Sequence, residues 1–195
     1  MRELLRIIEH LTDILGRLGA RHAFGGAIAN NYWGIVRTTQ DVDCLVQVAA
    51  IDYQRLADEL ASAGFVMRNQ SGTDETISVA AMREQERARK LIELFLQGIK
   101  TELFVPFLPL QDEILRRAVR MPFGSKSILV TTAEDLILLK MTFHREKDLI
   151  DVRGILWVQR GKLDLPYLRH WSDQMLPDEV QRELDALVLQ YQEPN

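Results

Sequence analysis

Asp41 and Asp43 alternate with Val42 and Cys44 in the run RTTQDVDCLV, residues 37–46. At strand spacing the two carboxylates leave one face while the apolar side chains enter the other. A third acid, Glu102, lies in a later apolar run, where it projects from a face whose reverse side is core. Hard oxygen donors of this kind suit Mg²⁺, which takes one or two carboxylates and substrate phosphate oxygens. Two such ions clamp the attacking and leaving oxygens of phosphoryl transfer. The competing reading of the aspartates is the solvent-facing row of an edge strand.

The elements around these residues follow from periodicity and glycine placement. Leu4, Leu5, Ile8, Leu11, Ile14, Leu15 and Leu18 recur at helical spacing, so residues 2–18 form an amphipathic helix ended by Gly19. Residues 21–24 are a short strand, Gly25-Gly26 turn it, and residues 27–33 are a short helix closing at Gly34. The acid-bearing strand spans 41–48, a helix spans 51–63 before Gly64, and 65–68 is another short strand. Residues 69–90 begin as a polar loop and continue as a helix or a charged segment. Residues 91–96 and 99–105 flank Gln97-Gly98, a two-residue hairpin turn. In that register Ile92, Leu94, Leu96, Ile99, Leu103 and Val105, with Thr101, share the core face. Glu93, Phe95, Lys100, Glu102 and Phe104 take the other, and Glu93 faces Glu102, a like-charge pair that costs stability unless a cation sits among them.

Residues 111–120 read as a helix and 127–130 as a last strand. Thr131-Thr132-Ala133-Glu134 is a capping box that places the start of the next helix at Thr131. Helices over 147–159 and over two further C-terminal segments come after it, with Pro166 and Pro177 near the starts of the last two. The expected architecture is α/β (α+β), a mixed sheet flanked by helices. Residues 1–130 would be its core, with 131–195 a helical C-terminal region packed on that core.

A formal charge of -4 gives no general attraction to nucleic acid or anionic membrane. A single cysteine, Cys44, precludes an internal disulfide and points to a reducing compartment. With no run of 18 apolar residues and a charged amphipathic N-terminus, the expectation is no membrane span and a cytoplasmic protein. His10, His22, His144 and His170 lack metal-ligand spacing, which argues against zinc.

Phe24-Gly25-Gly26, then Arg37-x-Thr39-x-Asp41-Val42-Asp43, then Thr101-Glu102-Leu103 resembles the signature of the nucleotidyltransferase superfamily related to DNA polymerase beta. The later residues Glu134-Asp135-Leu136, Lys140, Arg145, Lys147-Asp148 and Asp151 are similar to the second half of the minimal and abortive-infection toxin nucleotidyltransferases. The resemblance implies a nucleotidyltransferase-type sheet and transfer of a nucleoside monophosphate from an NTP, with release of pyrophosphate. Asp41, Asp43 and Glu102 would hold Mg²⁺, or Mn²⁺ in its place. Glu102 would also be the candidate to take the proton of the acceptor hydroxyl, at a position where relatives often have aspartate and where Glu93 is the rival. Gly25 and Gly26 would bind the triphosphate through backbone N–H groups at a helix N-terminus. Arg37 and Thr39 either contact phosphates or brace the loop. Lys140, Arg145 and Lys147 would reach the triphosphate, with Asp148 and Asp151 as their scaffolding partners, against the alternative of a solvated charged surface. The acceptor is a tRNA, a protein or a small molecule. The other class of function is a non-catalytic nucleotide-binding or partner-binding member of a toxin-antitoxin pair.

Overall fold

The computed structural model describes residues 2–69 and 71–192. Met1, Gln70 in the 69–90 stretch and the last three residues of the 131–195 region lie outside it. The first helix, α1 (Arg2–Arg17), buries Ile7, Ile8, Leu11, Ile14 and Leu15 along one stripe. Gly19 then takes a left-handed φ of 63°, which lets the chain reverse into β1 (Arg21–Phe24). Helix α2 (Gly26–Trp33), strand β2 (Asp41–Gln47) and helix α3 (Tyr53–Ser62) come next, near their expected positions.

The polar stretch after α3 resolves into β3 (Met67–Arg68), β4 (Asp74–Glu75) and α4 (Val79–Arg89), so the second half of 69–90 is a helix. Its start is fixed by Ser78, whose hydroxyl accepts from Ala81 N at 3.1 Å. Strands β3 and β4 pair with each other, while Val66, just before β3, bridges Phe95, over whose ring the Arg68 guanidinium lies at 3.9 Å.

Strands β5 (Leu91–Leu96) and β6 (Ile99–Phe104) form the expected hairpin, with Leu96 opposite Ile99 and Glu93 opposite Glu102. Helix α5 (Pro109–Arg117) ends three residues short of the expected 120. The chain then enters β7 (Val119–Phe123), which turns at Gly124 into β8 (Lys126–Val130). The expected single last strand is therefore half of a hairpin. VRMPF conceals its strand character because Pro122 has no N–H for a ladder, a defect tolerated where β7 lies at the sheet edge.

Among the described residues the main sheet has six strands in the order β5-β6-β2-β1-β8-β7. Pairing of β2 with β6 and of β1 with β8 is parallel, while β1–β2, β5–β6 and β7–β8 are antiparallel. Val42, Cys44 and Val46 point into the core, and Cys44 is completely buried. Asp41, Asp43 and Leu45 point the other way, and α5 covers the far end of that face, where Gln47 donates to Asp112 at 3.2 Å.

Beyond β8 the described elements are helices: α6 (Ala133–Phe143), α7 (Glu146–Val158), α8 (Leu165–Met175) and α9 (Asp178–Gln192). The cap of α6 is Thr132, which accepts from Asp135 N at 3.2 Å, and not Thr131. The shift arises because Thr131 still belongs to the sheet, its N–H donating to Phe24 O at 3.0 Å. Helix α6 packs on α2, and α7 joins it to α9. No helix among the described residues is long and apolar enough to cross a membrane.

Candidate active site

The parallel ladder between β2 and β6 puts Asp43 directly beside Glu102 and Asp41 beside Lys100. All four side chains leave the same face, because both strands have the period of two. Burial, then the charge of Glu102 and a hydrogen bond shared with it, push the Asp43 carboxyl up to about 6. Lys100 donates to Glu102 Oε1 at 3.0 Å and is the cation that makes the crowded acids tolerable. Burial lowers the Lys100 pKa, but the bond to Glu102 and the neighbouring acids outweigh it and raise the pKa above its ordinary value.

Gly26 shows how tightly the glycine turn embraces this pair. Its φ is 51°, and a Cβ there would fall 1.8 Å from Asp43 Oδ2, so a side chain is excluded by backbone conformation and by space. Gly25 N donates to Asp43 O at 2.9 Å, locking the turn to β2. Gly25 also precedes α2 without a side-chain cap, which leaves the first N–H groups of that helix for another acceptor. At its other end α2 is pinned by Trp33 Nε1, which donates to Thr131 O at 2.7 Å.

The acids and glycines line a cleft of about 370 Å³ together with Lys140, Arg145 and Lys147. Of the cofactor-binding candidates, these three and Gly25 and Gly26 meet in one place. Lys140 is buried and bridges Asp151, at 2.6 Å, to Asp148, at 3.6 Å. Arg145 pairs with Asp148 at 2.6 Å, and this bond first, then the fields of Asp43 and Glu102, raise its pKa. Arg37 and Thr39 do not line the cleft. Both nitrogens of the Arg37 fork donate to Asp151 at 3.0 Å, and Thr39 Oγ1 bonds Asp41 through its backbone, so both brace the loop that delivers Asp41. Burial raises the Asp151 pKa, but hydrogen bonds from Arg37 and Lys140 outweigh it and hold the carboxyl below its ordinary value.

Does this cluster fit a divalent cation? Among the described residues no three metal-ligating side chains stand gathered around one point. Asp43 and Glu102 are nevertheless two adjoining oxygen donors whose mutual repulsion a cation would relieve, and Asp41, exposed at the mouth, lies one strand step away. Asp43 and Glu102 are the hard oxygen donors that an ion such as Mg²⁺ takes.

Three polar residues of the cleft escape a sequence reading of the site. Lys100 is visible only as a neighbour, two positions before Glu102 on the same face. Gln111 gives no signal and Thr131 signals only a helix start, since only the three-dimensional path of α5 and of the β8–α6 junction brings them in.

The sequence matches no protein-family model and no curated protein. Solved structures do resemble the fold. An antigenic nucleotidyltransferase-like protein from Paracoccidioides brasiliensis superposes with a TM-score of 0.57 at 16% identity, covering 99% of this chain and 95% of that one. The antibiotic-resistance factor ANT(2'')-Ia, in solution, gives 0.53 at 11% identity over 97% and 92% of the two chains. Its crystal structure in complex with adenylyl-2''-tobramycin gives 0.52 at 10% identity over 97% and 99%. The fold is that of the nucleotidyltransferases, as the glycine and acid motifs imply.

Proposed function

We propose that this chain, with its nucleotidyltransferase fold, is a Mg²⁺-dependent enzyme that moves a nucleoside monophosphate from an NTP to an acceptor hydroxyl. The observation that carries this reading is the juxtaposition of Asp43 and Glu102 over Gly26, in a cleft that Lys140, Arg145 and Lys147 also line. Metal ions held by Asp41, Asp43 and Glu102 would supply charge to offset the oxygens of the transferring phosphoryl group. The uncapped start of α2 binds the triphosphate, and Arg145 and Lys147 screen its outer charge. Lys140 acts in the same cleft with its charge partly committed to Asp151 and Asp148.

The acceptor oxygen attacks the α-phosphorus, the bond to the β-phosphate oxygen breaks, and pyrophosphate leaves. Glu102, which accepts a hydrogen bond from Lys100, takes the acceptor proton. The preferred acceptor class is a small hydroxylated molecule, and a cationic one suits a sheet face bearing Asp41, Glu93 and Glu102. The likeness of the fold to ANT(2'')-Ia, bound in its crystal structure to an adenylylated tobramycin, makes aminoglycosides the first candidates, with tRNA and protein as comparison acceptors.

The test incubates the protein with each labelled NTP, Mg²⁺ or Mn²⁺, and the acceptor panel. Transfer by wild type and its loss by roughly 10²-fold or more in Asp41→Ala and Asp43→Ala is the expected result. NTP binding without transfer to any acceptor would favour a non-catalytic nucleotide-binding role. Unchanged transfer in both variants would remove the carboxylates from the chemistry.

A further inference from the structure

The floor of the cleft, beyond the acids, is apolar: Leu45, Phe104, Leu136 and Leu139 contribute to it. Two polar groups interrupt this floor. The first is Gln111, on the first turn of α5, which is only 8% exposed. Its Oε1 accepts from Phe107 N at 2.8 Å and from Leu108 N at 3.1 Å. Two backbone N–H donors on one atom require that atom to be the carbonyl oxygen, so the orientation of the amide is fixed and its NH₂ is left over. Among the described residues no group accepts from that NH₂, although Gln111 lines the cleft. The second is Thr131, completely buried, whose Oγ1 finds no hydrogen-bond partner among the described residues. A buried polar group left unpaired is costly, and the Thr131 hydroxyl stands on the same cleft as an amide NH₂ left over to donate, so a ligand that pairs both fits there.

Their place in the sheet identifies which part of the ligand they meet. Thr131 lies just past β8 and against the glycine turn, its methyl carbon 3.9 Å from where a Cβ on Gly25 would stand. Helix α5 packs on β1 and β2. Both groups therefore lie toward the glycine side of β2, while Glu102, the residue assigned to the acceptor, stands on β6 at the opposite side. A group tethered to phosphates at the glycine turn is in reach of them. A flat ring with two apolar faces and a hydrogen-bonding edge matches an apolar floor with one fixed donor and one hydroxyl.

Resting on the nucleotidyltransferase reading, we propose that Gln111 and Thr131 form the seat of the NTP's base and set which base is preferred. The Gln111 NH₂ reads an acceptor atom on the base edge, and the Thr131 hydroxyl completes a second bond.

Gln111→Glu is the discriminating variant. A carboxylate oxygen still accepts from Phe107 and Leu108 N–H, so the start of α5 keeps its bonds, while the donor facing the cleft becomes an acceptor. Binding of ATP, GTP, CTP and UTP is measured with Mg²⁺ by calorimetry on the full chain. The added charge weakens all four alike and cancels in their ratios. The ratio of the tightest to the weakest base is expected to shift by about tenfold or more, the scale of one hydrogen bond gained or lost. Thr131→Val, isosteric and without the hydroxyl, is expected to shift it by several-fold and serves if Gln111→Glu does not fold. Ratios unchanged within twofold in both variants overturn the base seat, and so does a change confined to the acceptor's KM. If wild type binds NTP but the ratios do not move, this inference fails alone; if wild type binds no NTP, the proposed function fails with it.

Discussion

Asp43 is a carboxylate placed where its own fold pays for it. Its folded pKa, about 6, lies above the 3.8 of an ordinary aspartate. A raised carboxyl contributes stability that is fully present below the unfolded value and lost as pH rises through the folded one. At neutral pH the ionised form thus costs the metal-free protein roughly 3 kcal/mol relative to acid. Asp43→Asn is expected to raise stability by about 2 kcal/mol at pH 7.5 in EDTA, a gain that closes on approaching pH 4. Urea unfolding at both pH values checks it, and a variant less stable than wild type at pH 7.5 would contradict the assigned cause. The same substitution should abolish transfer, since it removes the charge that a divalent ion needs. At this scale the sequence is unusually legible for Asp41, Asp43, Glu102, Gly25 and Gly26, because each belongs to a short motif with a fixed spacing. Gln111 belongs to none, and Thr131 only to a capping box that says nothing of a site. Their chemistry is created by what their neighbours do, one amide oxygen being consumed by a loop and one hydroxyl being left without a partner, and no local pattern encodes either.

Among the elements, α6 and α7 are joined at the cleft by alternating charges. Arg37, Asp151, Lys140, Asp148 and Arg145 form a chain that ties the loop before β2 to the start of α7. Lys140, with 6% of its side chain exposed, is the middle link. Lys140→Met keeps the stem's volume but leaves two buried carboxylates with only their outer arginine partners. The expected loss is about 2–3 kcal/mol, at the low end for a broken buried pair because those arginines remain. Denaturant unfolding measures it, and a change below ~0.5 kcal/mol would mean that the two carboxylates do not depend on Lys140. The strands β5 and β6 are readable from alternation and a glycine turn, and α1 from its apolar stripe. Strand β7 is not, since Pro122 and the exposed Arg120 imitate a loop, and the cap of α6 slips by one residue because Thr131 and Thr132 are chemically alike. Only the sheet bond from Thr131 N to Phe24 O separates the two threonines.

At the scale of the whole molecule, the acid platform depends on a contact between chain segments about 60 residues apart, the parallel pairing of β2 with β6. Helical stretches can be recognised one at a time, but alternation reports only that a strand has two faces, never which strand lies beside it. The central position of β2 also encloses the chain's one cysteine. Cys44 is fully buried, and burial pushes its thiol pKa up, so the folded state offers a reagent neither access nor thiolate. Modification by a disulfide reagent such as DTNB then counts the rare moments when the middle of the sheet opens. A ligand that binds only the closed form makes those moments rarer by the factor 1 + [L]/Kd, about a hundredfold at a hundred times Kd. Saturating NTP with Mg²⁺ should slow Cys44 labelling by that order, and immediate stoichiometric labelling of the free protein would contradict an enclosed β2. The residue beside Asp43 thus gives the protein a built-in clock, readable by absorbance without any substrate turnover.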